Sequence, residues 1–215
     1  MTELSKRIYT SLILFMIFLF SFFNNILLFF VVIFCFFQIF DEFYNLLKKI
    51  LHRRSKFMLL IFLTLILSFM TYSMLFIWVS MIYGNTMDKI FLLLLISISI
   101  STDIGGFIFG KIFKGPKLTK ISPNKTYSGM FGSYILSIFL VLFIFKNYFE
   151  FDFLIAITLI VSTISQLGDL FISFLKRKSN LKDTGTLLPG HGGLLDRFDG
   201  LIFTLTLGSF FKLII

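Results

Sequence analysis

The sequence predicts an all-α, polytopic bundle of transmembrane helices with its basic loops at the cytoplasmic surface, and three observations carry that prediction. Of 215 residues, 57% are hydrophobic and only 14% charged, with a mean hydropathy of +0.96. A soluble domain carries about 25% charged residues, so this much apolar surface cannot all be hidden in one globular core. The apolar residues come in continuous runs rather than alternating, which argues against a membrane β-barrel. The basic residues gather between alternate runs, the asymmetry that orients membrane helices.

Residues 8–23 and 26–40 are apolar and meet at Asn24-Asn25. Basic residues flank the pair: Lys6-Arg7 before it, and Lys48-Lys49 with Arg53-Arg54 after it. If both flanks are cytoplasmic, the two runs form a hairpin turning at the asparagines. A single helix over 8–40 would be about 50 Å long, against a hydrocarbon core of ~30 Å, so the hairpin is preferred. Runs 57–82 and 90–110 follow, joined by the short, nearly neutral segment Tyr83 to Lys89. A basic loop carries Lys111, Lys114, Lys117, Lys120 and Lys125. Runs 130–145 and 153–173 flank a joint carrying Glu150 and Asp152, and 200–215 makes a short last span. The count is about seven spans in a single membrane domain over 1–215, with N-terminal membrane helices over 1–99 and a catalytic region over 100–215. The basic segments (the N-terminus, 41–56, 111–127 and 174–199) fall on one side, which predicts a cytoplasmic N-terminus and an outward C-terminus. Apolar runs recur to the last residue and no small-residue cleavage site follows the first, so that run reads as a span and not as a signal peptide.

The formal net charge is +9. In a soluble protein this would suggest nucleic acid; here the positive-inside bias of cytoplasmic loops accounts for it, and no nucleic-acid partner is expected. Cys35 is the sole cysteine, lies in an apolar run, and reads as a small buried hydrophobe.

The stretch Ser173–Asp199 breaks the apolar pattern. It holds five basic residues (Lys176, Arg177, Lys178, Lys182, Arg197), three acids (Asp183, Asp196, Asp199), His191 and a Gly-rich turn. Asp196 and Asp199 are spaced i, i+3 and share a face if helical. Such a pair suits a hard divalent cation, which binds through one or two carboxylates plus substrate phosphates. The alternative is an ordinary helix start whose acids complement the dipole. Arg197 faces elsewhere and suits bidentate phosphate binding. In His191-Gly192-Gly193, glycines allow backbone N–H groups to approach an anion; a plain loop is the alternative. A zinc site from His191 and Asp196 lacks a second His or Cys nearby.

Two further acids, Asp103 and Asp169, sit near the ends of apolar runs, on the side of the basic loops. A carboxylate toward the bilayer centre costs about 2.5–3.5 kcal/mol on insertion scales. They read either as snorkelling or salt-bridging residues or as a metal or substrate site near the cytoplasmic leaflet. Gly105-Gly106-x3-Gly110 fits close helix packing. Taken together, carboxylates for metal, basic residues for polyphosphate and glycines for close approach indicate metal-dependent phosphoryl or nucleotidyl transfer to or from a lipid. A transporter with Asp103 and Asp169 lining an ion path is the rival of another class. It predicts charges deep within several spans and gives no reason for Lys176-Arg177-x4-Lys182-Asp183.

The segment Ser173-x-Leu175-Lys176-Arg177-x4-Lys182-Asp183-x-Gly185-x2-Leu188-Pro189-x-His191-Gly192-Gly193-Leu194-x-Asp196-Arg197-Phe198-Asp199 resembles the hallmark of phosphatidate cytidylyltransferases, or CDP-diacylglycerol synthases. Three shorter segments agree: Asp103-Ile104-Gly105-Gly106-Phe107 with Gly110-Lys111, Ile121-Ser122-Pro123-Asn124-Lys125-Thr126-Tyr127, and Gln166-x-Gly168-Asp169. Tyr127 stands where Trp is usual, Ser128 where an acid is usual, and Phe107 for Tyr. The resemblance covers 100–215 in detail and 1–99 only in hydrophobic pattern.

The resemblance implies transfer of CMP from CTP to phosphatidate in phospholipid biosynthesis, giving CDP-diacylglycerol and pyrophosphate, at the cytoplasmic membrane of a bacterium with the active site facing the cytoplasm. It implies Asp169 and Asp196 as Mg²⁺ ligands in a paired-cation site, supported by Asp199, with a monovalent cation such as K⁺ as an optional second ion. Lys176, Arg177, Lys182 and Arg197 would bind the triphosphate or the phosphatidate head group. The wider candidate set adds Asp183 and His191 to the catalytic group, and Lys111, Lys125, Ser122, Gly192, Gly193 and Asp103 to the binding group. Partners are CTP, phosphatidate and membrane lipids, with a homodimer as an option. The attacking phosphate oxygen is largely ionised at neutral pH, its second pKa being about 6, so no strong general base is needed. A CTP-dependent transferase or kinase acting on another membrane lipid, such as a polyprenol, is the alternative.

Overall fold

The structure, a computed structural model, describes residues 12–13, 16–17, 20–21, 23–51, 56–119, 121–187 and 192–214. Among these residues it is all helical, with no strand and one isolated antiparallel bridge, Lys117 to Thr126. The helices are α1 (Asn25–Leu51), α2 (Lys56–Ile82), α3 (Thr86–Phe113), α4 (Tyr127–Phe145), α5 (Phe151–Lys178) and α6 (Leu195–Gly208), followed by a 3-10 helix, Ser209–Ile214. Five of them, α1 to α5, are long and apolar enough to cross a membrane. The expected span at 8–23 lies largely outside the described residues. The expected span at 200–215 is the 14-residue α6 followed by 3-10 turns.

The chain packs as two compact units, Met1–Ile82 with Leu175–Phe198, and Tyr83–Phe174 with Asp199–Ile215. In the first unit, Asn24 interrupts the helix. Its Oδ1 accepts from the N–H groups of Ile26 (3.0 Å) and Leu27 (3.2 Å), capping α1. α1 then runs past Phe40 to Leu51, where the sequence reading placed a basic loop over 41–56. The reason is periodicity: Ile39, Phe43, Leu46 and Leu47 keep helical spacing and are all buried, so the charged residues among them do not end the helix. α1 packs on α2, with the rings of Phe29 and Trp78 6.0 Å apart. α2 is apolar around its whole circumference and exposes Leu60, Ile61, Phe62 and Leu65, as a lipid-facing span does. Its hydroxyls turn back on the helix: Thr64 donates to the Ile61 carbonyl, Ser68 to Thr64 and Thr71 to Ser68.

In the second unit α3 and α4 pack backbone to backbone. A Cβ on Gly105 would lie 2.7 Å from the Gly132 carbonyl oxygen, one on Gly129 2.7 Å from that of Gly106, and one on Gly132 would overlap Phe109. The glycine run of α3 therefore serves close packing. Hydroxyls tie α3 to its neighbours: Ser133 Oγ donates to the Thr102 carbonyl (2.7 Å), Thr102 Oγ1 to Ser162 Oγ (2.9 Å), and Ser99 bonds Ser165 (3.2 Å). Phe91, Leu94, Leu95, Ile98, Leu154 and Val161 form the buried core of this unit.

Candidate active site

Leu175 to Phe198, most of the hallmark segment, belong to the first unit. α5 ends at Lys178, and Asn180, with φ of 56°, turns the chain out of the helix. The last turn of α5 thus presents Lys176, and the first turn of α6 presents Asp196. Lys176 Nζ meets Asp196 Oδ1 at 2.7 Å, an ion pair whose side chains are 15% and 7% exposed. Asp196 Oδ2 accepts from the N–H of Thr184 (2.9 Å) and the N–H of Gly193 (3.0 Å), with Thr184 Oγ1 3.1 Å away. Burial pushes the Asp196 carboxyl up, but the Lys176 ammonium and the two backbone N–H groups outweigh it and hold the group below the usual carboxylate range.

Gly192 has φ of +85°, a left-handed conformation that favours glycine, and a Cβ there would lie 3.0 Å from Asp196 Oδ2. The adjacent N–H of Gly193 does approach an anion, but that anion is the protein's own Asp196. Arg177, Lys182, Asp183 and Arg197 of the same segment are exposed. Leu188 to His191 lie outside the described residues, so the candidate role of His191 and the zinc reading lie outside them too.

A residue of the N-terminal third, not foreseen from the sequence, completes this arrangement. Glu42 on α1 is 2% exposed. Its Oε1 accepts from Gln38 Nε2 (3.2 Å) and the Leu194 N–H (2.9 Å), and its Oε2 from Thr184 Oγ1 (2.5 Å) and the Leu195 N–H (2.9 Å). The available signal was an acid at core spacing between Ile39, Phe43 and Leu46, four residues after Gln38.

The second unit gathers residues of three other segments. Lys125 Nζ forms an ion pair with Asp169 Oδ2, and Ser173 Oγ lies 3.4 Å from Asp169 Oδ1. Asp103 on α3 is within electrostatic reach of both Asp169 and Lys125. Lys125 is placed by a turn in which its N–H donates to the Ser122 carbonyl (3.1 Å), with Pro123 at the second position. Thr126 then caps α4 by accepting from the Gly129 N–H at 3.1 Å. Lys111 lies over the Phe107 ring, 5.7 Å from its centroid. Asp199 Oδ1 accepts from the Gly200 N–H (2.9 Å).

Of the three expected metal ligands, Asp196 belongs to the first unit and Asp169 and Asp199 to the second. Within each unit, no group of three or more His, Cys, Asp or Glu among the described residues converges as a ligand cluster. The donor chemistry itself fits a hard cation. All three are carboxylates, two of them already hold a lysine ammonium, and Asp196 Oδ1, with its single 2.7 Å partner, keeps a lone pair open.

The sequence matches the profile of the Cytidylyltransferase family over residues 5–214. It is 46% identical over 114 residues to the phosphatidate cytidylyltransferase of Rickettsia felis, covering 48% of this chain and 50% of that protein. It is 47% identical over 110 residues to the phosphatidate cytidylyltransferase of Staphylococcus saprophyticus, covering 49% and 42%. The protein of the same name from Rickettsia typhi is 41% identical over 127 residues, covering 54% and 56%. The chain thus spans about half the length of the curated relatives it matches. The family match runs from near one end of the sequence to the other and takes in both units and every polar cluster described above, so this chain belongs to the cytidylyltransferase family.

Proposed function

We propose that this protein transfers CMP from CTP to phosphatidate, giving CDP-diacylglycerol and pyrophosphate, and does so at the cytoplasmic face of a bacterial inner membrane. The observation that carries the reading is the half-buried Lys176–Asp196 ion pair, which joins the two ends of the hallmark segment, together with the exposed cations Lys182, Arg177 and Arg197 of the same segment. Five apolar helices fix the protein to a bilayer where a lipid substrate resides; a count of seven spans is part of the proposal.

The chemistry asks for two anions to be brought together. A phosphatidate oxygen attacks the α-phosphorus of CTP, a new P–O bond forms, and the bond to the pyrophosphate leaving group breaks. Catalysis of this kind is mostly positioning and charge neutralisation. Lys182, Arg177 and Arg197, all exposed, would bind the triphosphate or the phosphatidate head group. Lys176 holds Asp196 below the usual carboxylate range, and Lys125 forms an ion pair with Asp169. Asp169, Asp196 and Asp199 would hold Mg²⁺, whose contribution when bound is to neutralise phosphate oxygens and the departing pyrophosphate. Asp103 and Lys111 belong to the same proposed binding surface as Lys125 and the Ser122 turn.

The test is product formation by the purified protein in detergent with CTP, phosphatidate and Mg²⁺, with Asp196→Asn in parallel. CDP-diacylglycerol from the wild type and a loss of about 100-fold or more in the variant are expected, the scale of removing a charged group from a phosphoryl-transfer site. Folded wild type that makes no product from phosphatidate, but converts a polyprenol acceptor, would replace this reading with the sibling activity.

A further inference from the structure

Glu42 stands apart from every residue assigned a role above. It lies in the part of the chain where the sequence shows only membrane helix, and its carboxylate is buried. Among the described residues no Lys, Arg or His forms a salt bridge with it. A buried carboxylate without a cation is costly unless its oxygens are hydrogen-bonded. Here four donors, two on each oxygen, supply that compensation. Two of the four are the N–H groups of Leu194 and Leu195, at the start of α6, which have no partner within their own helix and carry its positive dipole end.

The hallmark segment is shaped around this carboxylate. A Cβ on Gly185 would come within 2.9 Å of Glu42 Oε1, and one on Gly193 would overlap Glu42 Oε2 and Thr184 Oγ1. Both glycines therefore leave the space that Glu42 fills. Two of the groups Glu42 holds also frame Asp196: Thr184 donates to both acids, and Leu195 immediately precedes Asp196 in the first turn of α6.

We infer that Glu42 is a positioning residue for the transfer proposed above: acting through Thr184 and the first turn of α6, it aims Asp196 and its partner Lys176. The inference rests on that reading for its kinetic part only. Glu42 itself touches no reacting atom.

Glu42→Gln keeps the shape and replaces one acceptor oxygen with an amide that faces donors. Three readouts are taken together: kcat and KM for CTP, hydrogen exchange of the amides of Thr184, Leu194 and Leu195, and exchange in α1 and α2 as the reference for global loosening. The expected result is a fall in kcat of about 10- to 100-fold, the range seen when a group orienting an active-site side chain is lost. KM for CTP stays within about 3-fold, and exchange quickens at the three named amides alone. Glu42→Asp, which keeps the charge, recovers part of kcat. Wild-type kcat in Glu42→Gln, unchanged exchange at the three amides, or equal quickening throughout α1 and α2 would each overturn the inference. If Glu42→Gln does not fold, Thr184→Val removes one of the four donors at nearly constant volume and must show the same kcat loss and local exchange; wild-type behaviour there overturns it equally. A wild type with no transferase activity would sink the reaction while leaving the exchange pattern to judge the anchor by itself.

Discussion

Replacing Gly193 by alanine adds a single methyl group at the tightest point of the hallmark segment. The new Cβ would lie 2.7 Å from the backbone nitrogen of Gly185 and overlap Thr184 Oγ1 and Glu42 Oε2. The Gly185 nitrogen cannot swing away as a rotamer, so the Thr184–Glu42 hydrogen bond of 2.5 Å has to part. Overpacking of this kind costs about 1–3 kcal/mol, and a hydrogen bond to a charged group is worth about 1.5–3 kcal/mol. Together they predict a loss of about 2.5–6 kcal/mol. Gly185→Ala provides the internal comparison. Its nearest contacts, at 2.9, 3.1 and 3.4 Å, are all atoms of the Glu42 side chain, which can give by a few tenths of an ångström. About 1–2 kcal/mol is expected there. The assay is thermal unfolding in detergent followed by near-UV circular dichroism. With about 2–4 °C per kcal/mol for a chain of this size, Gly193→Ala should lower the midpoint by at least about 5 °C and Gly185→Ala by clearly less. A Gly193→Ala midpoint within about 2 °C of wild type, or the reverse order of the two variants, would refute the account of how the segment is packed.

Two further predictions concern the ion pairs. Lys176→Met removes the ammonium that holds the Asp196 carboxyl below its usual range. In the wild type that contribution to stability is fully present above the unfolded carboxyl value of about 3.9 and is lost as pH falls through the folded value. The wild type should therefore melt higher than Lys176→Met at neutral pH, with the gap closing below about pH 4; a gap that stays constant from pH 7 to pH 3 would contradict it. Lys125→Met leaves Asp169 and Asp103 as neighbouring acids without their shared cation, so it should destabilise the protein, and Asp103→Asn added to it should restore part of the loss. A double-mutant cycle on melting midpoints gives the coupling directly, and strict additivity would show that Asp103 does not feel the Lys125 ammonium.

The membrane character of the fold was legible because it is written in composition. α2 is apolar on every side and α4 nearly so, and no tertiary partner is needed to see that. The break at Asn24 was legible for a local reason, since an asparagine side chain can satisfy the first N–H groups of the helix that follows it. The end of α1 was not, because Asp41, Glu42, Lys48 and Lys49 look like a solvated loop until the burial of Phe43, Leu46 and Leu47 is known. The hallmark residues could be listed from sequence, but their partners could not. Lys176 reads as a phosphate ligand, yet in the structure its ammonium lies on Asp196, 20 residues away. The glycine turn reads as an open anion cradle, yet the N–H groups of Gly193, Leu194 and Leu195 donate to protein carboxylates. Glu42 was invisible for the same reason at greater range, since three of its four donors lie 142 to 153 residues further along the chain.

That separation has a consequence in time. At a synthesis rate of roughly 5–20 residues per second, Glu42 leaves the ribosome about 7–30 s before Thr184 does. Throughout that interval α1 exists without the donors that make its carboxylate tolerable in an apolar setting. The charged third of α1, from Asp41 to Lys49, has to wait at the aqueous boundary of the bilayer. Only when Thr184, Leu194 and Leu195 arrive are three of its four donors in place. The first membrane helix of the described chain is therefore among the last to finish folding, and any delay late in translation leaves it exposed at the membrane surface.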